Sequence, residues 1–321
     1  MTETILVLQP VNEELQGIIR AELPPGFAVS FTESTDPAHL AGKMPDAEYV
    51  VWWDEALTGA LLAAAPRLKL AHKWGVGVEN IDMEVARSRN IQVARTTGGN
   101  AVPVAEFAIA LMLAAGRRIV QAHNAMVEGR WAKNEVWRHS VLLSGKTVGI
   151  IGLGAIGTEV ARRLLGFGCR ILYHNRRSIG AEREAALGVA YRSVADMLPE
   201  VDVLCLTCPL TPETRNLIGA AELARMKPGS ILVNVARGGI VVEADLVEAL
   251  RSGHLAAAAI DVYDPEPPDP RNPLLHLPNV VVTPHCASTA FENSAKGIRH
   301  WLRNIVAVSQ GRAVPEIDRV P

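Results

Sequence analysis

The sequence predicts an α/β protein built from two doubly wound parallel-sheet domains, and three observations carry that expectation. Short apolar runs alternate with helix-period segments in two successive series, as in βα units. At 321 residues the chain is too long for one ordinary core and suits two domains. Between the two series stands the stretch 147–157, TVGIIGLGAIG, in which an apolar run breaks into a glycine turn and then a helix-period segment.

In chain order, residues 5–8 read as a strand and 13–21 as a helix. Strands follow at 28–31 and 49–52, then an alanine-rich helix at 58–65, and strands at 68–71 and 91–94 complete a small parallel sheet. After Gly98-Gly99 the pattern changes. Residues 101–115 are apolar nearly all round, with Glu106 as the one carboxylate, which predicts a buried helix placed between the domains. A more polar, tryptophan-bearing segment, 128–144, leads into the strand 148–151. The second series has strands at 171–173, 203–206, 231–235, 257–261 and 280–283, with helices at 158–165, 221–226 and 246–250. Residues 264–273, rich in proline and acidic groups, must be a loop. Residues 291–308 read as a final amphipathic helix.

The glycines of GLGAIG have separate tasks when such a turn holds a dinucleotide. Gly152 makes the tight turn, Gly154 lets the backbone approach a pyrophosphate, and Gly157 packs helix on strand. N–H groups at the start of the helix supply the partial positive charge a diphosphate needs. A lone GxGxxG is weak evidence, but this one sits between a strand-like and a helix-like run, as the mechanism requires.

Composition narrows the function. Hydrophobic residues make up 49% and charged residues 21%, and the net charge of −2 argues against a nucleic-acid or anionic-membrane surface. No stretch has the length of a membrane span, and MTETILVLQP lacks the basic start of a signal peptide, so a cytoplasmic protein is expected. Four cysteines, Cys169, Cys205, Cys208 and Cys286, are too few and too irregular for a disulfide framework. Cys205 and Cys208 form a CxxC at the end of a buried strand, not at a helix start, and no second pair completes a zinc site. No metal site is expected.

Three segments of the second series each place a reactive side chain just past a strand: Arg237 in NVARGG, the carboxylates of DVYDPEP, and His285 in TPH. Ligands of open α/β sheets bind outside the carboxyl ends of strands, so these groups can converge on the glycine turn. From the residues alone, Glu266 reads as a solvated loop charge with Asp264 as a nearby competitor, and a lone histidine is more often a satisfied residue, whereas Arg237 beside glycines is already suggestive because glycine lets a ligand approach the backbone. His72, His139, His174 and His276 have no comparable context. Trp52, Trp53 and Trp74 lie near strand ends, as pocket walls or as packing.

The segments GLGAIG, CPLTPETRNLI, LVNVARGGIVVEADLVEAL, DVYDPEPP and TPHCAS, with GVGVENID and VAEFAIALML before them, resemble the NAD(P)-dependent D-isomer-specific 2-hydroxyacid dehydrogenase family over nearly the whole chain. That resemblance implies a Rossmann coenzyme domain, residues 100–286, inserted in a flavodoxin-like substrate domain made of residues 1–99 and 287–321. It implies an active site in the cleft between them, and a homodimer built on the long helix after residue 100. Carried over by position, His285 is the general acid to the carbonyl oxygen of a 2-keto acid, and Glu266 fixes its tautomer and raises its pKa. Arg237 grips the substrate carboxylate through its guanidinium fork, a task that lysine performs poorly. The N–H groups of Val76 and Gly77 take the other face of that carboxylate. Asp261 holds the nicotinamide carboxamide. The remaining cofactor contacts fall on Leu153, Ala155 and Ile156 around the glycines, on Cys208, Pro209 and Thr214, and on Val235 and Ala236.

One departure bears on the cofactor. NAD-specific members carry a carboxylate roughly twenty residues past the glycines to bond the ribose 2′-OH. Here Asn175, Arg176 and Arg177 stand there instead, which favours the 2′-phosphate of NADP, with NAD still usable. Charge-assisted bonds of about 1.5–3 kcal/mol each give a preference of roughly ten- to a hundred-fold. Cys286 follows the histidine where an aliphatic residue is usual, and Lys73 is expected at the surface, although it could reach a substrate anion. The leading expectation is reduction of a small 2-keto acid such as glyoxylate or hydroxypyruvate; phosphoglycerate dehydrogenase is expected less, because the chain ends near Pro321 with no room for a regulatory domain, though short forms exist. The rival class is a dinucleotide-sensing corepressor on the same fold, which an NADPH-oxidation assay over a panel of keto acids discriminates.

Overall fold

The structure, a computed structural model, describes residues 2–321. It divides into two compact units, one formed by residues up to Asn100 together with Ala290–Pro321, the other by Ala101–Thr289.

The first unit holds five strands, β1 (Glu3–Val7), β2 (Phe27–Phe31), β3 (Tyr49–Trp52), β4 (Leu70–Lys73) and β5 (Gln92–Arg95). All pair in parallel in the order β2-β1-β3-β4-β5, the flavodoxin-like doubly wound order. Both faces are covered, as an all-parallel sheet requires. Leu6, Val50, Trp52 and Ala71 pack on one side, and Ile5, Val7, Tyr49 and Leu70 pack against Ile298, Trp301 and Ile305 on the other. Those last residues belong to the helix Ser294–Ser309, which returns the chain end to this unit after a short 3-10 turn at Phe291–Asn293.

The second unit holds β6 (Thr147–Ile151), β7 (Arg170–His174), β8 (Val189–Tyr191), β9 (Val203–Leu206), β10 (Ser230–Asn234), β11 (Leu255–Ile260) and β12 (Val280–Val282). The order is β12-β11-β10-β9-β6-β7-β8, again all parallel. Winding reverses between β6 and β9, so the glycine turn after β6 opens at the topological switch point where doubly wound sheets bind ligands.

Several elements differ from expectation. β4 runs two residues further than the apolar pattern indicates, because His72 and Lys73 are buried and satisfied by polar partners. β8 and the helices Pro37–Lys43, Met83–Ser88 and Ala181–Leu187 are too short or too polar to show a period. As for the apolar helix Ala101–Gly116, it packs in the second unit against β10, β11, β12 and the helix Ala155–Leu165. Among the described residues no helix is long and apolar enough to cross a membrane.

Candidate active site

The glycine turn is shaped by close packing. Gly152 leaves β6 at φ +102°, and a Cβ there would lie 2.5 Å from the backbone nitrogen of Cys208. Conformation and space both exclude a side chain. Thr207 Oγ1 donates to Gly152 O at 2.8 Å and ties the ends of β6 and β9 together. Gly157 is constrained by space alone, since a Cβ would sit 2.4 Å from Gly152 O. Gly154 is the opposite case: nothing lies within 4 Å of its Cβ position, at the start of the helix Ala155–Leu165. An open backbone approach at a helix N-terminus fits a diphosphate. Leu153 is buried in the core, Ile156 is half-buried, and Ala155 is exposed.

Asn175, past the end of β7, grips this turn. The Leu153 N–H donates to its Oδ1 at 2.7 Å, and its Nδ2 donates to Leu153 O at 3.3 Å. Arg176 and Arg177 are exposed beside it. The Arg176 charge, after hydrogen bonds from Thr211 and from Glu213's own backbone, helps hold the Glu213 carboxyl below its ordinary range. Cys208 is buried beneath the glycine turn, and Thr214 Oγ1 fastens the following loop by donating to Pro209 O at 2.7 Å and accepting from Thr211 N–H at 2.7 Å. Burial pushes the Cys205 and Cys208 thiols up to about 12 and about 11, so neither is a redox thiolate. Among the described residues no cluster of His, Cys, Asp and Glu could hold a metal ion.

Three turns at the carboxyl ends of β10, β11 and β12 carry the reactive groups. Asn234 spans the first: its Oδ1 accepts from Ala236 N–H at 3.0 Å, and its Nδ2 donates to Arg237 O at 2.9 Å. Val235 and Ala236 are buried, and Arg237 Nη1 donates to Ala236 O at 2.7 Å. A Cβ on Gly238 would lie 1.9 Å from Tyr263 O, so the arginine turn rests directly on the turn after β11. There the Tyr263 N–H donates to Glu266 Oε1 at 2.9 Å, and His285 Nδ1 meets Oε2 at 2.7 Å. Asp264 pairs with Arg215 at 3.0 Å instead and makes no bond to His285 among the described residues.

His285 has φ +51°, a left-handed conformation rare for a residue with a side chain. Asp261 holds it there. Asp261 O accepts from His285 N–H at 2.8 Å, while the fully buried carboxylate accepts from Thr283 Oγ1 at 2.6 Å, Cys286 N–H at 2.9 Å and Ala287 N–H at 3.0 Å. The hydrogen bond to Glu266 raises the imidazole pKa against burial, which lowers it; the Glu266 charge adds to the rise and Arg237 opposes it. Burial would push Glu266 up, yet its bonds from His285 and Tyr263 and the charges of His285 and Arg237 hold it below the usual range. Arg237 is therefore within electrostatic reach of both partners.

In the first unit, the loop after β4 carries Val76 and Gly77, half-buried, whose N–H groups donate to no acceptor among the described residues. Trp52 is fully buried packing, whereas Trp53 and Trp74 are half-buried and meet edge to face at 5.3 Å. Lys73 is not a surface lysine: it is 7% exposed and bound under this loop.

The sequence model of the NAD binding domain of D-isomer specific 2-hydroxyacid dehydrogenases matches residues 109–287, more than half of the chain. The chain belongs to the D-isomer specific 2-hydroxyacid dehydrogenase family. Relatives within it carry two kinds of name. The D-3-phosphoglycerate dehydrogenase of Archaeoglobus fulgidus is 39% identical over 318 residues, 99% of this chain, and this chain spans 59% of that protein's length. The glyoxylate reductase of Aeropyrum pernix is 44% identical over 262 residues, 80% of this chain and 78% of its own. Among solved dehydrogenase structures, the NAD-dependent formate dehydrogenase of Staphylococcus aureus in complex with NAD superposes at TM-score 0.86, with 28% identity, covering 100% of this chain and 99% of that one. A Thermus thermophilus protein gives TM-score 0.87 at 34% identity, covering 99% and 100%.

Reading the sequence for this dehydrogenase fold misses the work of Asn234 as a turn staple and of Asp261 as the hub of the histidine turn. An Asn or Asp closing a parallel strand is the available signal, since its side chain can take the backbone N–H groups that follow.

Proposed function

We propose that this chain is an oxidoreductase that reduces C2 of a small 2-keto acid, glyoxylate or hydroxypyruvate in type, to the D-2-hydroxy acid, with NADPH preferred and NADH usable. The observation that carries the reading is the 2.7 Å contact of His285 with Glu266, with the Arg237 charge acting on both. Bound nicotinamide dinucleotide supplies the hydride. Protonated His285 donates its Nε2 proton to the substrate's carbonyl oxygen, which becomes the hydroxyl. Glu266 keeps the second proton on Nδ1 and so presents Nε2 outward in the right tautomer. The Arg237 fork holds the substrate carboxylate and draws electron density from the carbonyl. In the first unit, the N–H groups of Val76 and Gly77 are donors suited to a carboxylate. Asp261 already takes three donors on its carboxylate, so its first task is to hold the His285 turn, with any contact to a carboxamide made by its remaining acceptor capacity.

The preference for NADPH rests on the end of β7, where Asn175, Arg176 and Arg177 replace a carboxylate. The exposed arginines suit a 2′-phosphate, and Asn175 leaves no anion to repel it. Four free cysteines suit a reducing, cytoplasmic setting. A homodimer agrees with the exposed apolar side chains on the helices that follow residue 116.

Spectrophotometric assay with NADPH or NADH over a panel of 2-keto acids tests the whole reading. Turnover of glyoxylate or hydroxypyruvate, with kcat/KM about tenfold or more higher for NADPH, is the expected result. No turnover on any keto acid, with tight cofactor binding retained, favours the sensor class. A clear NADH preference overturns only the cofactor assignment.

A further inference from the structure

The loop 75–79 is anchored at both stems by one side-chain network. Lys73, the last residue of β4, points its ammonium beneath the loop, where Nζ donates to Asn80 Oδ1 at 2.8 Å and to Trp53 O, 5.5 Å from the centre of the Trp52 ring. Asn80 stands at the loop's other end. Its Nδ2 reaches Trp53 O at 3.0 Å, Asp54 O at 3.1 Å and Glu55 O at 2.8 Å, and its Oδ1 also accepts from Trp52 Nε1 at 3.1 Å. The turn after β3 is fixed in its own right, because Gln9 Oε1 accepts from Trp53 N–H at 2.7 Å and Asp54 N–H at 2.8 Å. Lys73, two residues before the loop, and Asn80, the residue after it, are thus joined to each other, and both to a turn held by Gln9 just past β1.

A loop of this composition, GVGVE, has little to hold it by itself. Its two glycines favour many conformations, and ordering each residue costs about 1–2 kcal/mol. No bond from the N–H groups of Val76 and Gly77 to a protein acceptor is found among the described residues, so both donors are available to an anion if the loop holds them at fixed positions. Burying an ammonium is expensive unless its donors are all used. Packing alone would be served by a neutral chain of similar length.

We propose that Lys73 and Asn80 are positioning residues that preorganise the Val76 and Gly77 donors for the carboxylate of the 2-keto acid. This rests on the reading of that loop as a carboxylate site. Neither side chain touches the substrate; each acts by fixing the spacing of the loop's stems.

Steady-state kinetics of Lys73→Met and Asn80→Ala, beside the wild type, test the idea. The expected result is a KM for the keto acid raised about tenfold or more, about 1.4 kcal/mol, with kcat and the KM for NADPH within about twofold. Lys73→Arg, which keeps the donors, recovers part of the loss. Unchanged keto-acid KM in variants of native melting temperature overturns the proposal, as does an equal loss in kcat and in cofactor affinity, which marks general loosening. If Lys73→Met fails to fold, Asn80→Ala and Asn80→Ser decide the question by the same split. Wild-type turnover with unaffected variants removes only this inference, whereas no wild-type turnover on any keto acid removes the function itself.

Discussion

His285 combines two constraints, a left-handed backbone enforced from Asp261 and a ring nitrogen held by Glu266 at 2.7 Å. The pair makes a defined prediction about pH. Because the folded imidazole pKa lies above that of an unfolded histidine, about 6.5, the pair adds stability that is fully present below that pH. This stability is lost as pH rises through the folded value. Reduction needs the protonated ring, so kcat/KM for the keto acid falls along the same alkaline limb. Glu266→Gln removes the largest cause of the raised pKa and leaves an amide whose one oxygen can accept from Nδ1 only by giving up the Tyr263 N–H. The alkaline limb therefore moves to lower pH, and kcat/KM at pH 8 drops by about ten- to a hundred-fold. A pH–rate profile with an unmoved limb shows that Glu266 does not set the acid's pKa. Glu266 itself has the opposite sign: its depressed pKa contributes stability above the unfolded carboxyl value that is lost as pH falls through the folded one.

At the scale of elements, strand ends decide chemistry. β7 delivers Asn175, whose amide both accepts from and donates to Leu153 of the glycine turn. Asn175→Asp keeps an acceptor for the Leu153 N–H but loses the donor to Leu153 O and sets a negative charge beside Arg176. The ratio of kcat/KM for NADPH over NADH should fall about tenfold or more, through repulsion of a 2′-phosphate. An unchanged ratio means that Asn175 serves only the turn. The glycine turn itself was legible because three glycines answer to three separate steric demands, seen at Gly152, Gly154 and Gly157. The parallel pairing of the strands followed from their alternation with helices, whereas their order within each sheet is seen only in the structure. Less legible was anything that depends on a polar group finding a buried partner. The extension of β4 is one case, for His72 is fully buried between Lys73 O and Asn304, and burial lowers its pKa to about 3. Asn304 in turn donates to Asp318, which also takes His300 and the Thr97 N–H. Those residues lie far apart in sequence, and no local period announces that they meet.

At the scale of the molecule, each unit satisfies its own core, yet the second leaves apolar area in water. Trp131 is 78% exposed, Trp137 75%, Val127 74%, Leu142 63%, Met126 56% and Ile119 52%. They fall on two touching helices, Ile119–Val127 and Lys133–His139, and on the segments flanking them. Single exposed apolar residues are ordinary, but this density over one short stretch is the mark of an interaction surface, and exposed indoles are typical interface anchors. A second copy of the chain is the occupant that the family resemblance supplies. Light scattering at micromolar concentration should give the mass of two chains. The double variant Trp131→Glu, Trp137→Glu, which buries two charges in such an interface, should give the mass of one while each unit keeps its fold, because neither indole belongs to a core cluster. A wild type that runs as a single chain, or a double variant that stays paired, rules out this face as the dimer contact.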